Sequence, residues 1–348
     1  PSESARLYNA LRKDETLLAA GDSLRLVRET NGVRVNLVDS TRRPLFDSDS
    51  GALTETGLTL AHDLGKAISG LTVPLTIEGH TDALAILAEL ACTPFAEPGI
   101  WGVWAAEPPN AKVRATAGSD QKFRLNGRKA WCSGAQQIDY ALLTAWGVDD
   151  TPYLIAIHLD QPGITIDAQA WQAVGMASTA SVDVHFDNAV GYPIGATGAY
   201  LSRPGFWQGG GVIAAAWYGA AASLARALHR QRQQGRADAH ADAHLSSVDA
   251  ALSGAAAALR ECAAWIDAHP QENAQLPVQR VRAQVEMAVE QVCRHVGRAL
   301  GATPFCRDPQ FARLAVDLPV FIRQSHAERD LAGLGQLLAG LEAEDWSL

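Results

Sequence analysis

The sequence predicts an α+β protein in three consecutive parts: a mainly helical N-terminal domain over 1–98, a central antiparallel, barrel-like β-domain over 99–203, and a C-terminal four-helix bundle over 204–348. Three observations predict it. Between about 100 and 200, short segments alternate apolar and polar residues and are cut by Asn-Gly, Pro-Gly and other glycine turns, the pattern of half-buried strands. These segments follow one another too closely for crossover helices, which argues for antiparallel pairing. From about 208 onward the chain becomes alanine-rich with apolar residues three and four apart, the spacing of packed helices.

Taken in order, residues 3–20 read as a short amphipathic helix, with Leu7, Leu11 and Leu18 set among charges. A hairpin is expected near 24–38, because Leu24, Leu26 and Val27 precede Asn31-Gly32 and Val33, Val35 and Leu37 follow it. Two helices are expected between about 55 and 91, the second carried by the pattern of residues 82–91. Strands are expected at 113–117, at 122–125 before Asn126-Gly127, and at 140–145, 153–158 and 181–186. Four helical segments follow at roughly 208–234, 242–268, 277–301 and 309–339, punctuated by Gly235, His269-Pro270 and 301–304.

Composition narrows the function classes. Of the 348 residues, 47% are hydrophobic and 19% charged, which excludes a disordered or fibrous chain. The net charge of -9 opposes binding to nucleic acid or an anionic membrane, so any phosphate site must be local. Five cysteines without CxxC spacing suggest neither a disulfide framework nor a zinc site, and a reducing cytoplasm fits them best. No apolar run of transmembrane length stands out, and the polar first residues do not read as a signal peptide. His240 and His244, with Asp238 and Asp242, read as a solvated loop leading into a helix rather than a metal site. Gly209-Gly210-Gly211 lacks the lysine and the preceding strand of a phosphate-binding loop.

Three segments carry a family resemblance. Residues 125–134, with Asn126-Gly127 followed by Trp131-Cys132-Ser133, resemble the acyl-CoA dehydrogenase stretch in which a strand ends in Trp-Ile-Thr/Ser. Trp104-Ala105-Ala106-Glu107-Pro108 resembles that family's strand ending in Thr-Glu-Pro, with Ala106 in place of the threonine. Residues 175–189, from Gly175-Met176 through Ser181 to Phe186, resemble the stretch that closes the family's β-domain. The resemblance implies FAD as cofactor. It places Trp131 beside the isoalloxazine and Ser133 near flavin N5, with Val103, Ala105 and Ala106 giving backbone contacts to the pyrimidine edge. In place of the family's partner-subunit FAD motif stand Arg230 and Arg232, and Arg232 is carried forward for the pyrophosphate. A homodimer or homotetramer is implied.

The expected activity is an FAD-dependent oxidoreductase that removes hydride from an acyl thioester or related small molecule, with acyl-CoA as a candidate substrate. The catalytic base is unassigned. The family supplies a glutamate from one of two places, which here hold Ala332-Gly333 and Gln208-Gly209-Gly210-Gly211. Glu328 and Asp330 lie near the first in sequence but off its helical phase. A flavin monooxygenase served by a partner reductase needs no such base and stands as the alternative. A non-catalytic relative that kept the scaffold stands beside it.

Overall fold

The computed structural model describes residues 8, 9, 11–13, 17, 21, 24–28, 33–37, 77–95, 99–118, 122–235 and 238–341. They fall into two units, residues 1–75 and 76–348. In the first, β1 (Leu24–Arg28) and β2 (Val33–Leu37) form the expected hairpin, with Leu24 opposite Leu37 and Arg28 opposite Val33. Of residues 3–20, Tyr8, Asn9, Leu11 and Leu17 are described and helical, and Leu11 and Leu17 are buried. The helix expected ahead of residue 77 lies outside the described residues.

The second unit opens with α1 (Ile77–Glu89), whose Ala83, Ile86 and Leu87 are buried one helical turn apart. They pack with Trp101, Tyr140, Leu142 and Ile194 against the β-domain. That domain comprises β3 (Trp101–Trp104), β4 (Val113–Ala117), β5 (Phe123–Cys132), β6 (Tyr140–Trp146), β7 (Pro152–His158), β8 (Ile164–Asp167) and β9 (Val182–Ile194). Strands β6, β4, β5, β9 and β7 neighbour one another in that order, and β7 pairs again with β6, closing a small barrel. β3 adds to β6 from outside the ring and β8 adds to β9.

Two expectations change here. The pairing is not wholly antiparallel: β3 and β4 each run parallel to β6, because the β4–β5 hairpin folds back before the chain reaches β6. Asn126-Gly127 is a bulge inside a ten-residue strand rather than a turn, with a register shift between Leu125 and Gly127. Gly127 has φ +120, and a Cβ there would lie 2.4 Å from the Lys112 carbonyl oxygen, so only glycine fits.

The bundle consists of α3 (Pro204–Gln234), α4 (Ala239–Ala268) and α5 (Gln275–Leu300), preceded by the one-turn α2 (Ala199–Ser202). It continues through α6 (Thr303–Arg307), α7 (Pro309–Phe321) and α8 (Glu328–Leu338). The fourth expected helix is thus broken. Ser325 is extended and Ala327 has φ +47, so α8 starts afresh, with Asp330 accepting the His326 N–H at 3.0 Å. Among the described residues α3 is long and apolar enough by composition to cross a bilayer. Its buried Ala214, Trp217, Ala221, Leu224, Ala225 and Leu228 form one stripe at helical spacing, which packs into the bundle core. His240 and His244 do separate jobs: Asp238 caps α4 by accepting the His240 and Ala241 N–H groups, while His244 Nδ1 meets His295 Nδ1 of α5 at 2.9 Å.

Candidate functional site

The site is assembled where β3 and the end of β5 meet. Strict alternation from the buried Leu125 would turn residues 127, 129 and 131 inward together. Instead a second register shift, between Lys129 and Cys132, turns Cys132 into the core and leaves Trp131 outside. The shift is visible in the backbone, where Trp131 has φ +60, costly for a non-glycine residue. The residue is 58% exposed although both sequence neighbours are buried. Here a bulge re-aims an aromatic side chain toward solvent.

β3 lies alongside. Trp104, itself buried, donates its indole N–H to the Ser133 carbonyl at 3.2 Å and ties the two segments together. Ile100 uses its carbonyl to accept from Asp139 and Tyr140, on the β6 side, whereas the Trp101 N–H turns the other way to His80 Nδ1 at 3.2 Å. Backbone groups alternate sides along a strand, so those of Val103 and then Ala105 face away from β6. That edge carries no further strand among the described residues. Val103 and Ala105 therefore present backbone groups on the side of β3 away from β6, and Ser133 lies against the same strand through its bond with Trp104. Arg232 lies 28 residues along α3 from Pro204, about 42 Å at helical rise, and pairs with Asp242 at 2.8 Å.

Beneath the surface runs a polar network that the sequence did not announce. Lys129, fully buried, donates to Glu107 Oε1 at 2.8 Å, to the Thr144 hydroxyl at 2.7 Å and to the Thr144 carbonyl at 2.9 Å. Glu107 also accepts from Thr144 at 2.5 Å and from the Trp146 indole. All three ammonium protons are thus satisfied. Burial lowers the Lys129 pKa, and Glu107 opposes that shift. Glu107, itself partly exposed, is accordingly the counter-ion of a fully buried lysine. Cys132, whose thiol is pushed up by burial, is a packing residue rather than a thiolate.

On the other side of Ser133, residues 175–181 form a tight loop. The Ser133 hydroxyl lies 3.1 Å from that of Ser181, which lies 2.9 Å from that of Thr179, which donates to the Met176 carbonyl at 2.8 Å. The Met176 N–H donates to Asp317 of α7 at 2.6 Å, docking the β-domain on the bundle. Of the carboxylates weighed as a base, Asp330 is committed to the start of α8 and pairs with His326. Another was missed. Asp82 of α1 approaches Gly209 at the start of α3, 4.0 Å from where a Cβ would sit, and burial raises its pKa against the opposing pull of Arg203. The signal available was weak, a lone aspartate at the head of an apolar helical run.

The comparisons agree with this architecture. Residues 96–189 match the acyl-CoA dehydrogenase middle domain. YdbM of Bacillus subtilis, provisionally named an acyl-CoA dehydrogenase, is 39% identical over 66 residues, which is 19% of this chain and 17% of that protein. A dibenzothiophene monooxygenase of Rhodococcus erythropolis is 38% identical over 100 residues, 26% of this chain and 23% of its own length. The chain therefore matches well under two thirds of either curated relative. Among solved structures, TdsC from Paenibacillus sp. A11-2 in complex with FMN and indole superposes with a TM-score of 0.65 at 18% identity, covering 81% of this chain and 82% of that one. The fold is that of the acyl-CoA dehydrogenases, and the family match lies on the β-domain, residues 96–189.

Proposed function

We propose that this chain is a flavin-dependent oxidoreductase whose isoalloxazine site is the surface shared by β3 and the end of β5. The observation that carries the reading is Trp131: a strained backbone turns a large aromatic residue outward between buried neighbours, near a strand edge that no further strand among the described residues occupies. A flat heteroaromatic ring with a donor-acceptor edge suits both features. Val103 and Ala105 would meet that edge through their backbone groups, Trp131 would cover a ring face and exclude water, and Ser133 would reach the ring nitrogen nearest it. Bound there, the flavin supplies hydride or electron transfer.

Two chemistries fit such a site. Dehydrogenation of an acyl thioester or related compound requires a carboxylate at the substrate's α-proton, and Ala332, Gly333 and Gly209 leave the two inherited places without one. Oxygenation with reduced flavin from a partner reductase dispenses with that base, and the likeness to the Rhodococcus erythropolis enzyme and to TdsC, itself a dibenzothiophene monooxygenase, favours it. We take the flavin monooxygenase as the leading form and the dehydrogenase as the second. FAD remains the cofactor expected from Arg232 acting across a subunit interface, while the ring contacts would serve FMN equally. The reading includes a homodimer or homotetramer, a small-molecule substrate and a cytoplasmic location.

The test is an absorbance titration of the protein with FAD and with FMN, followed by anaerobic mixing with an acyl-CoA panel. Bleaching by an acyl-CoA would establish the dehydrogenase. Flavin binding without bleaching, together with oxygen uptake when reduced flavin and an aromatic heterocycle are supplied, would establish the oxygenase. No binding of either flavin defeats both.

A further inference from the structure

Two carboxylates, two turns apart on one face of α1, approach the start of α3, and they are used differently. Glu89 accepts from the Arg203 guanidinium at 2.8 Å and from the Gly205 N–H at 2.9 Å, which fastens the two helices together. Asp82 accepts no hydrogen bond and forms no ion pair among the described residues. The cation within its electrostatic reach is Arg203, whose charge Glu89 already holds. The Asp82 carboxyl is nonetheless partly withdrawn from water, and burial raises its pKa. A carboxylate kept in that state without a partner costs free energy, and the joint between α1 and α3 is made by Glu89 without it.

What faces Asp82 is open. Around the point where a Cβ on Gly209 would stand, its Oδ1 at 4.0 Å is the nearest atom beyond the helix's own backbone. Gly209 lies inside α3, where glycine is less stable than alanine, so the missing side chain is not a packing necessity. The same face of α1 also meets β3: at Gly79, one turn before Asp82, the Cβ position is 3.7 Å from Gly102 Cα and 3.9 Å from the Val103 nitrogen. A ligand atom set about 1 Å closer to Oδ1 than the Gly209 Cβ position would lie at hydrogen-bond distance. The net charge of -9 draws cations rather than anions toward such a site. We propose that Asp82 binds a protonated amine of the substrate in the space between α1, the start of α3 and β3. This rests on the isoalloxazine site proposed above and gives its substrate a chemical class, a small molecule carrying a basic nitrogen. The ammonium donates to Oδ1 in a charge-assisted bond and supplies the partner the carboxylate lacks. Gly209 leaves the room for it, and the Glu89–Arg203 pair holds α1 in place beside it.

The experiment measures the affinities of benzylamine, benzyl alcohol and benzoate, probes of similar shape that are cationic, neutral and anionic at neutral pH. Ligand-observed NMR reads them with the native protein, Asp82→Asn, Asp82→Glu and Gly209→Ala, each with and without added flavin. The native protein is expected to bind benzylamine about ten- to a hundredfold more tightly than benzyl alcohol, the worth of a hydrogen bond to a charged group, and benzoate least. Asp82→Asn should abolish that preference, and Asp82→Glu should keep it. Gly209→Ala should raise the melting temperature, because alanine is the better helix residue, yet weaken amine binding by filling the space before Oδ1. Should Asp82→Asn not fold, Gly209→Ala carries the test. Benzylamine bound no better than benzyl alcohol, no detectable benzylamine binding, or a preference that survives these two substitutions overturns the proposal while leaving the flavin site standing. Loss of flavin binding with the amine preference intact overturns the flavin reading and leaves Asp82 as an amine site.

Discussion

Trp131 and Asp82 show at the residue scale how local cost points to use. Trp131 adds little to stability while exposed, so Trp131→Ala should change the free energy of unfolding by no more than about 0.5 kcal/mol. The same change should weaken flavin binding about tenfold, the scale of an aromatic stacking contact, which chemical denaturation and flavin titration would separate. Asp82 is held half-buried with its pKa raised above 3.8 by burial. Between the unfolded value and the raised folded one, the folded state binds more protons than the unfolded. Stability contributed by the neutral form is therefore lost as pH rises through that window. Asp82→Asn should melt higher than the native protein at neutral pH, and the difference should vanish below about pH 3.8; a lower melting temperature at neutral pH would show that the ionised carboxylate has a stabilising partner instead.

At the scale of elements, two contacts decide how the pieces meet. Lys129 of β5 has a fully buried side chain, and Glu107 is its only carboxylate partner among the described residues. Glu107→Gln should cost about 3 kcal/mol by stranding that charge, whereas Lys129→Met should cost less, since Thr144 and Trp146 still donate to Glu107. Urea unfolding of both variants and of the double mutant would measure the difference. Gly175 packs against α7, where an added methyl would meet the Val316 backbone at 2.0 and 2.8 Å. Gly175→Ala should destabilise the protein by about 1–3 kcal/mol and, by moving Met176 away from Asp317, loosen the loop that carries Thr179 and Ser181. Hydrogen exchange at residues 176–181 would report that loosening.

For the whole molecule, the order helical region, β-domain and bundle follows from periodicity alone, because burial on one face imposes a period of two on strands and of about 3.6 on helices. The exposed apolar residues Val212, Met287 and Phe305 lie on α3, α5 and α6 of the bundle. Sedimentation should accordingly return a mass of at least two 37.0 kDa chains, and a monomer would count against Arg232 reaching a partner's cofactor. The sequence by itself determined the three-part order, the β1–β2 hairpin, the helical spacing of α1, α3, α4 and α5, and the family-like segments around Trp104, Trp131 and Met176, all of which are short-range patterns of burial and turn chemistry. Only the tertiary structure decided that Asn126-Gly127 is a bulge, that Trp131 faces outward, that Glu107 neutralises a buried Lys129, and that the hydroxyls of Ser133, Ser181 and Thr179, from two separate segments, meet within hydrogen-bond distance. These depend on register shifts and on contacts between residues tens of positions apart, and a pattern that repeats every two or four residues contains no information about either.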